Sequence, residues 1–231
     1  NFKPSIWFTM EANGRTTVHV LRAEIGQHVG TAFAQIVAEE LELDWDRVTI
    51  DYPEMGADTM AEYGTQATGG SYSVHEMFDT LARTAAVARG ILVEAGADLL
   101  GADPADCIAR NGQVVDEVFG DNISYSDILS ETTIDYEVYE EDLGAVKLKA
   151  REDYRIIGKS VPALDIPEKV NGSARFGIDA YVPNMVYGKI IAPPRRLGAK
   201  IVSVDDAAAK DITGYLMTMA INLPDEGLVS G

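Results

Sequence analysis

The rhythm of apolar and polar positions changes several times along the chain. Residues 5–11 and 16–21 are rich in aromatic and β-branched side chains, and Asn13-Gly14 stands between them. This predicts a β-hairpin, because Asn-Gly accepts the positive φ angles of a tight turn. After Thr31 the period lengthens. Val29, Ala32, Phe33, Ile36, Val37 and Leu41 share one helical face, which predicts a helix to about residue 43. Residues 48–52 read as a strand. Residues 53–70 carry Pro53, Gly56, Gly64, Gly69 and Gly70 with little periodicity, which predicts a long loop. Ser71 then opens a long helix. Val74, Phe78, Leu81, Ala85, Ala88, Leu92, Ala95 and Leu99 step by fours and threes and form one unbroken stripe.

A second hairpin is predicted from residues 107–110 and 113–116, around Asn111-Gly112. Ser124 and Asp127 have capping-box spacing for a short helix to about residue 131. Further on, Pro162, Pro167, Pro183, Pro193 and Pro194 exclude any long helix. Short strands are expected around 174–178, 186–192, 200–204 and 215–220. Asp205 or Asp206 would cap a short helix through Lys210. The expected fold class is α+β.

Charge divides the chain more sharply than hydropathy does. The 231 residues carry a formal net charge of −18. Residues 1–99 contribute −9 and residues 100–145 contribute −11, with Arg110 the one base in the second stretch. Residues 146–155 carry +2, and residues 156–231 are neutral. This predicts a domain over 1–146, a linker over 147–156 and a different module over 157–231. So acidic a chain is a poor partner for nucleic acid, since it has few cations to replace counterions. An anionic membrane surface is disfavoured for the same reason, and no apolar run is long enough to span a bilayer. The single cysteine, Cys107, excludes an internal disulfide or a multi-thiolate metal site within the chain.

Two glycine-rich junctions are the candidate chemistry. In the first, Gly26-Gln27-His28-Val29-Gly30-Thr31 leads into a helix. Glycines admit close backbone approach, and a helix start offers free N–H groups to an anion such as a phosphate. Gln27 could meet a heterocycle edge as both donor and acceptor. The plainer reading is a glycine turn with Thr31 capping the helix. In the second, residues 65–73 feed the long helix with Thr68, Gly69, Gly70 and Ser71. There the plainer reading is a loop with a serine cap. Neither is a Walker motif or a dinucleotide fingerprint. His19 and His75 read as structural, and no histidine pair has metal-ligand spacing. Cys107 reads as a buried small residue. The acidic run 139–142 reads as a solvated loop, and Glu39 and Glu40 read as the wet face of their helix.

Residues 22–31, containing Glu24-Ile-Gly-Gln-His-Val-Gly-Thr31, resemble the E-M-G-Q-G-x-x-T motif of the xanthine dehydrogenase/aldehyde oxidase family of molybdenum hydroxylases. Residues 34–52 are similar to a stretch found in the branch of that family that contains the isoquinoline 1-oxidoreductase β-subunit. Thr68-Gly-Gly-Ser-Tyr-Ser-Val74 resembles that branch's T-G-G-S-x-S-V motif, and residues 105–112 resemble its next stretch. Residues 157–179, 183–188 and 192–194 resemble the start of the family's α/β hammerhead domain.

The resemblance implies a molybdopterin-binding α+β domain followed by an incomplete hammerhead domain. It implies a molybdopterin cytosine dinucleotide carrying molybdenum, held in the intact enzyme. Gly26 and Gln27 would touch the pterin or its phosphates, with His28, Gly30, Thr31 and Thr68 in the same motifs. Gly69, Gly70 and Ser71 would meet the pyrophosphate. His28 replaces a usual glycine, and Gly30 offers a close approach nearby. The implied partners are the remainder of the large subunit, an iron–sulfur small subunit and a cytochrome c subunit. The implied reaction is oxidation of aldehydes or N-heterocycles. The family's catalytic glutamate lies in a G-x-G-E motif that does not occur in this sequence. The chain is therefore expected to be an amino-terminal portion or a split subunit, with a processed start and a periplasmic location, the cytoplasm being the alternative. A non-catalytic interaction module that keeps the fold is the competing expectation.

Overall fold

The structure is a computed structural model that describes residues 2–3, 5–54, 56, 60–61, 66–136, 138–195 and 199–221. Two compact units divide at Arg175 and Phe176.

The first unit holds two small sheets, two long packed helices and shorter helical segments. In the first sheet, β1 (Phe8–Met10) pairs antiparallel with β2 (Thr16–His19), and β3 (Val48–Asp51) lies parallel to β2. A parallel neighbour needs a crossover, and helix α1 (Val29–Glu40) lies in the connection between β2 and β3. The first hairpin forms, but its loop is longer than a two-residue turn. Gly14 N–H donates to Glu11 C=O at 2.9 Å, and only Gly14 (φ +81°) is left-handed. At the second hairpin both Asn111 (φ +50°) and Gly112 (φ +75°) are left-handed, and the loop is the two residues the pattern predicts.

That hairpin, β4 (Cys107–Arg110) and β5 (Gln113–Asp116), is joined by β6 (Asn122–Ser124) in an antiparallel meander. Helix α2 (Ser73–Leu100) runs along it. Gly96 permits the closest approach. A Cβ there would sit 2.7 Å from the side chain of Val114. The short helix Tyr125–Glu131 starts at Ser124, whose hydroxyl accepts from Asp127 N–H at 3.1 Å. Phe33 and Val37 of α1, Leu41 just past its end, and Leu81, Ala85, Ala88 and Leu92 of α2 are buried in one core. At ~25 cal/mol per Å² of apolar surface removed from water, this is the main driving term of the fold.

The expectation that Glu39 and Glu40 face water is overturned. They are 0% and 2% exposed. Glu39 accepts from Lys149 Nζ at 2.5 Å and from the backbone N–H groups of Arg155, Ile156 and Ile157. Glu40 pairs with Arg89 at 3.0 Å and accepts from Lys149 N–H at 3.1 Å. Glu42 takes Lys149 and Arg155 at 2.5 and 2.6 Å. Burying a carboxylate is costly unless it is paired and hydrogen-bonded, and here the basic segment supplies those partners. Residues 147–156, expected as a linker, thus lie within the first unit as a strap across the end of α1.

The expected strands of the last third are not formed among the described residues. The second unit shows the 3-10 turn Gly177–Asp179 and the short helix Ala207–Lys210. The short helix matches the expectation. The apolar residues meant for strands are largely bare: Ile178 is 93%, Ile191 92% and Val202 95% exposed. A strand is stable only when its backbone pairs and one face is buried, and these segments have neither.

Candidate functional site

The two glycine junctions meet. Ala23 C=O accepts from Thr68 Oγ1 at 2.8 Å and from Gln27 Nε2 at 3.0 Å. Arg22 pairs with Glu76 of α2 at 3.2 Å. The loop before α1 and the loop before α2 therefore form one shelf, with Gly26, Gln27, Gly69, Gly70 and Ser71 exposed on it. Gly26 is at φ +102° and Gly70 at φ +57°, in the left-handed region that favours glycine. Ser71 adopts φ +60°, a strained value for a side-chain-bearing residue. A Cβ at Gly26 or Gly69 would meet nothing within 4 Å.

Sequence reasoning missed Glu24, which organises the first turn. Its carboxylate accepts from Gly26 N–H at 2.6 Å, His28 N–H at 3.0 Å and Val29 N–H at 3.0 Å. The Tyr52 hydroxyl also donates to it at 3.2 Å. Burial raises the Glu24 carboxyl, but the N–H groups of His28 and Gly26 and the Tyr52 hydroxyl outweigh burial and hold it below its ordinary range. Burial and the Glu24 charge push the Tyr52 phenol up. The donors at the start of α1, expected for a phosphate, are thus held by an internal anion. An acid five residues before the first helical N–H, within a glycine turn, is the signal that would have found it.

The remaining residues of the motif divide by environment. Gln27 Oε1 accepts from Ile25 N–H at 2.7 Å, so both ends of its amide brace the loop. His28 takes a left-handed backbone (φ +58°), and its Nδ1 lies 2.9 Å from Asp165. Asp165 also pairs with Lys169, and the two partners hold its carboxyl down against the opposing effect of burial. Gly30 is buried, and a Cβ there would press into Ile50 at 2.9 Å. The Thr31 hydroxyl is buried and accepts from Leu164 N–H at 2.9 Å. Gly30 and Thr31 therefore work inside the fold. The exposed shelf consists of Gly26, Gln27, Gly69, Gly70 and Ser71, with Thr68 half-buried as the tie.

Such a shelf suits a ligand that needs close backbone approach and little side-chain bulk, such as a phosphate-bearing cofactor. Among the described residues, no three His, Cys, Asp or Glu side chains are grouped to hold a metal ion.

Comparison with known proteins defines the class. A family model for the molybdopterin cofactor-binding domain matches residues 2–181. This chain belongs to that family, as an amino-terminal portion of a molybdenum-hydroxylase large subunit. It is 41% identical, over 97% of its length, to a membrane-bound aldehyde dehydrogenase (pyrroloquinoline-quinone) of Gluconacetobacter polyoxogenes. It is 31% identical, over 91%, to the β-subunit of isoquinoline 1-oxidoreductase from Brevundimonas diminuta. It is 29% identical, over 86%, to a subunit of nicotinate dehydrogenase from Pseudomonas putida. The chain spans 28%, 31% and 16% of those relatives. Among solved structures it resembles quinoline 2-oxidoreductase from Pseudomonas putida 86, with a TM-score of 0.43 and 22% identity. That likeness covers 53% of this chain and 15% of the other.

Proposed function

We propose that this chain builds one side of a molybdopterin cytosine dinucleotide site in an oxidoreductase that acts on aldehydes or N-heterocycles. The observation that carries this reading is the shared acceptor, Ala23 C=O, which ties the two glycine turns into one exposed shelf. When bound, the molybdenum cofactor supplies the redox chemistry. The chain's own residues bind and orient. Gly26, Gly69 and Gly70 admit close approach, Gln27 and Thr68 hold the two turns together, and Ser71 offers a hydroxyl beside the start of α2. Glu24 and His28 keep the first turn in its left-handed shape.

The catalytic base comes from outside this chain, since no G-x-G-E motif occurs in it. One cysteine is consistent with iron–sulfur clusters lying on a separate subunit. Two relatives are themselves named as subunits, which supports an assembly of several chains. The same reading gives an iron–sulfur small subunit and a cytochrome c subunit as partners, and the periplasm as the compartment. No helix among the described residues is long and apolar enough to cross a membrane.

The test is elemental and nucleotide analysis of the holoenzyme, expressed with the molybdenum cofactor in supply. Stoichiometric molybdenum, with CMP released on acid hydrolysis, is expected. Absence of molybdenum would overturn the proposal, and GMP in place of CMP would overturn the cytosine form.

A further inference from the structure

A second surface on the first unit has no role in the cofactor reading. A groove of about 430 Å³ runs between α2, β4 and the strap. Ala86, Gly90 and Val93 line its α2 side, and Val146 and Lys149 line the strap side. β4 forms the third side, and β4 is the outer strand of its sheet. The tight turn at Asn111-Gly112 makes Arg110 and Gln113 a hydrogen-bonded pair, and Ile108 with Val115 the next. The N–H and C=O of Ala109 and the C=O of Cys107 therefore point outward into the groove. Cys107 N–H is taken by Pro104 C=O. An open sheet edge is a template for one more strand.

Gly90 is an odd residue for the middle of a 28-residue helix, where glycine costs stability. It is exposed, and a Cβ there would meet nothing within 4 Å. Its packing within the unit therefore does not require glycine, but a backbone lying across the helix would. The charges say what kind of segment fits. Arg89 and Lys149 already have carboxylate partners in Glu40, Glu39 and Glu42. Asp103 and Asp106 are exposed at the Cys107 end, and their field, with that of the buried Asp116, adds to burial in pushing the Cys107 thiol up.

We propose that this groove binds an extended segment of a separate polypeptide as a fourth strand beside β4, with a basic residue at the Cys107 end. Main-chain bonds at Ala109 and Cys107 set the register, small β-branched side chains fill the space beside Gly90 and Val93, and the cation meets the exposed Asp103 and Asp106.

The probe is a fluorescent peptide, acetyl-Lys-Val-Thr-Val-Lys-amide, titrated into the enzyme as purified and read by anisotropy. Saturable binding that weakens with salt is expected. Gly90→Leu should weaken binding about tenfold or more by filling the groove, while leaving the helix intact. Ala109→Pro removes the edge N–H and should do the same, and far-UV circular dichroism checks that it folds. If it does not fold, Gly90→Leu decides alone. The proposal fails if the peptide does not bind, if Gly90→Leu binds equally well, or if a peptide with Glu in place of Lys binds as tightly.

Discussion

Replacing Glu39 with alanine removes the acceptor that holds the strap on α1. The side chain is fully buried and takes four donors: Lys149 Nζ and the N–H groups of Arg155, Ile156 and Ile157. Lys149 keeps Glu42, but the three backbone donors lose their partner. Each stranded donor costs about 1–3 kcal/mol, partly relieved by local opening to water. Breaking a buried pair from one side costs about 3–5 kcal/mol. We therefore expect a loss of about 4 kcal/mol, a large part of the ~5–15 kcal/mol typical of a domain. At roughly 2–4 °C per kcal/mol for a domain of this size, the melting temperature falls by about 12 °C. Both tryptophans, Trp7 and Trp45, lie in the first unit, so their fluorescence follows its unfolding in denaturant. Hydrogen exchange at residues 155–157 should quicken in step. A loss below about 1 kcal/mol would refute the claim that Glu39 is the strap's anchor.

Other expectations follow from the same geometry. Burial raises the Glu39 carboxyl, but Lys149 and the strap's N–H groups outweigh burial and hold it below the ordinary 4.5. Its contribution is therefore complete above pH 4.5 and lost as pH falls through the folded value, as it is for Glu24. Denaturant midpoints should hold to about pH 5 and then drop, and Glu39→Gln should flatten that drop. Glu40, raised by burial, acts with the opposite sign above pH 4.5. Gly96→Leu should cost about 2–3 kcal/mol in denaturant titration, because Val114 already fills the space a Cβ would need. Thr16→Val should be neutral or stabilise by up to about 1 kcal/mol in the same titration, since its buried hydroxyl has no partner among the described residues.

Much of the first unit is legible in the sequence because its signals are local. Asn111-Gly112 specifies its own turn. The four- and three-residue steps from Val74 to Leu99 specify one helix face. Ser124 and Asp127 specify a cap. The exposed shelf, joined at Ala23 C=O, is legible as two glycine turns that each precede a helix. Partners distant in sequence are what local patterns cannot supply. Glu39 and Glu40 read as solvent-facing until Lys149 and Arg155, more than 100 residues later, are brought against them. The charge change at 146–155 is visible, but the pairing of Lys149 and Arg155 with Glu39 and Glu42 is not. Thr31 reads as a cap or a ligand contact until Leu164 claims its hydroxyl. In the second unit, apolar runs such as 186–192 carry strand propensity, but without a partner surface propensity alone does not form a sheet.

The central claim is that the exposed glycine turns receive the cofactor, and Gly69 tests it most directly. A side chain there meets no protein atom within 4 Å and requires no left-handed backbone. Gly69→Leu should therefore leave the fold unchanged and place bulk where the cofactor's phosphates would approach. Molybdenum content per large subunit, measured by mass spectrometry on wild-type and Gly69→Leu holoenzyme of equal melting behaviour, is the deciding quantity. The account predicts a loss of about tenfold or more in bound molybdenum. Full molybdenum occupancy in the variant would contradict it.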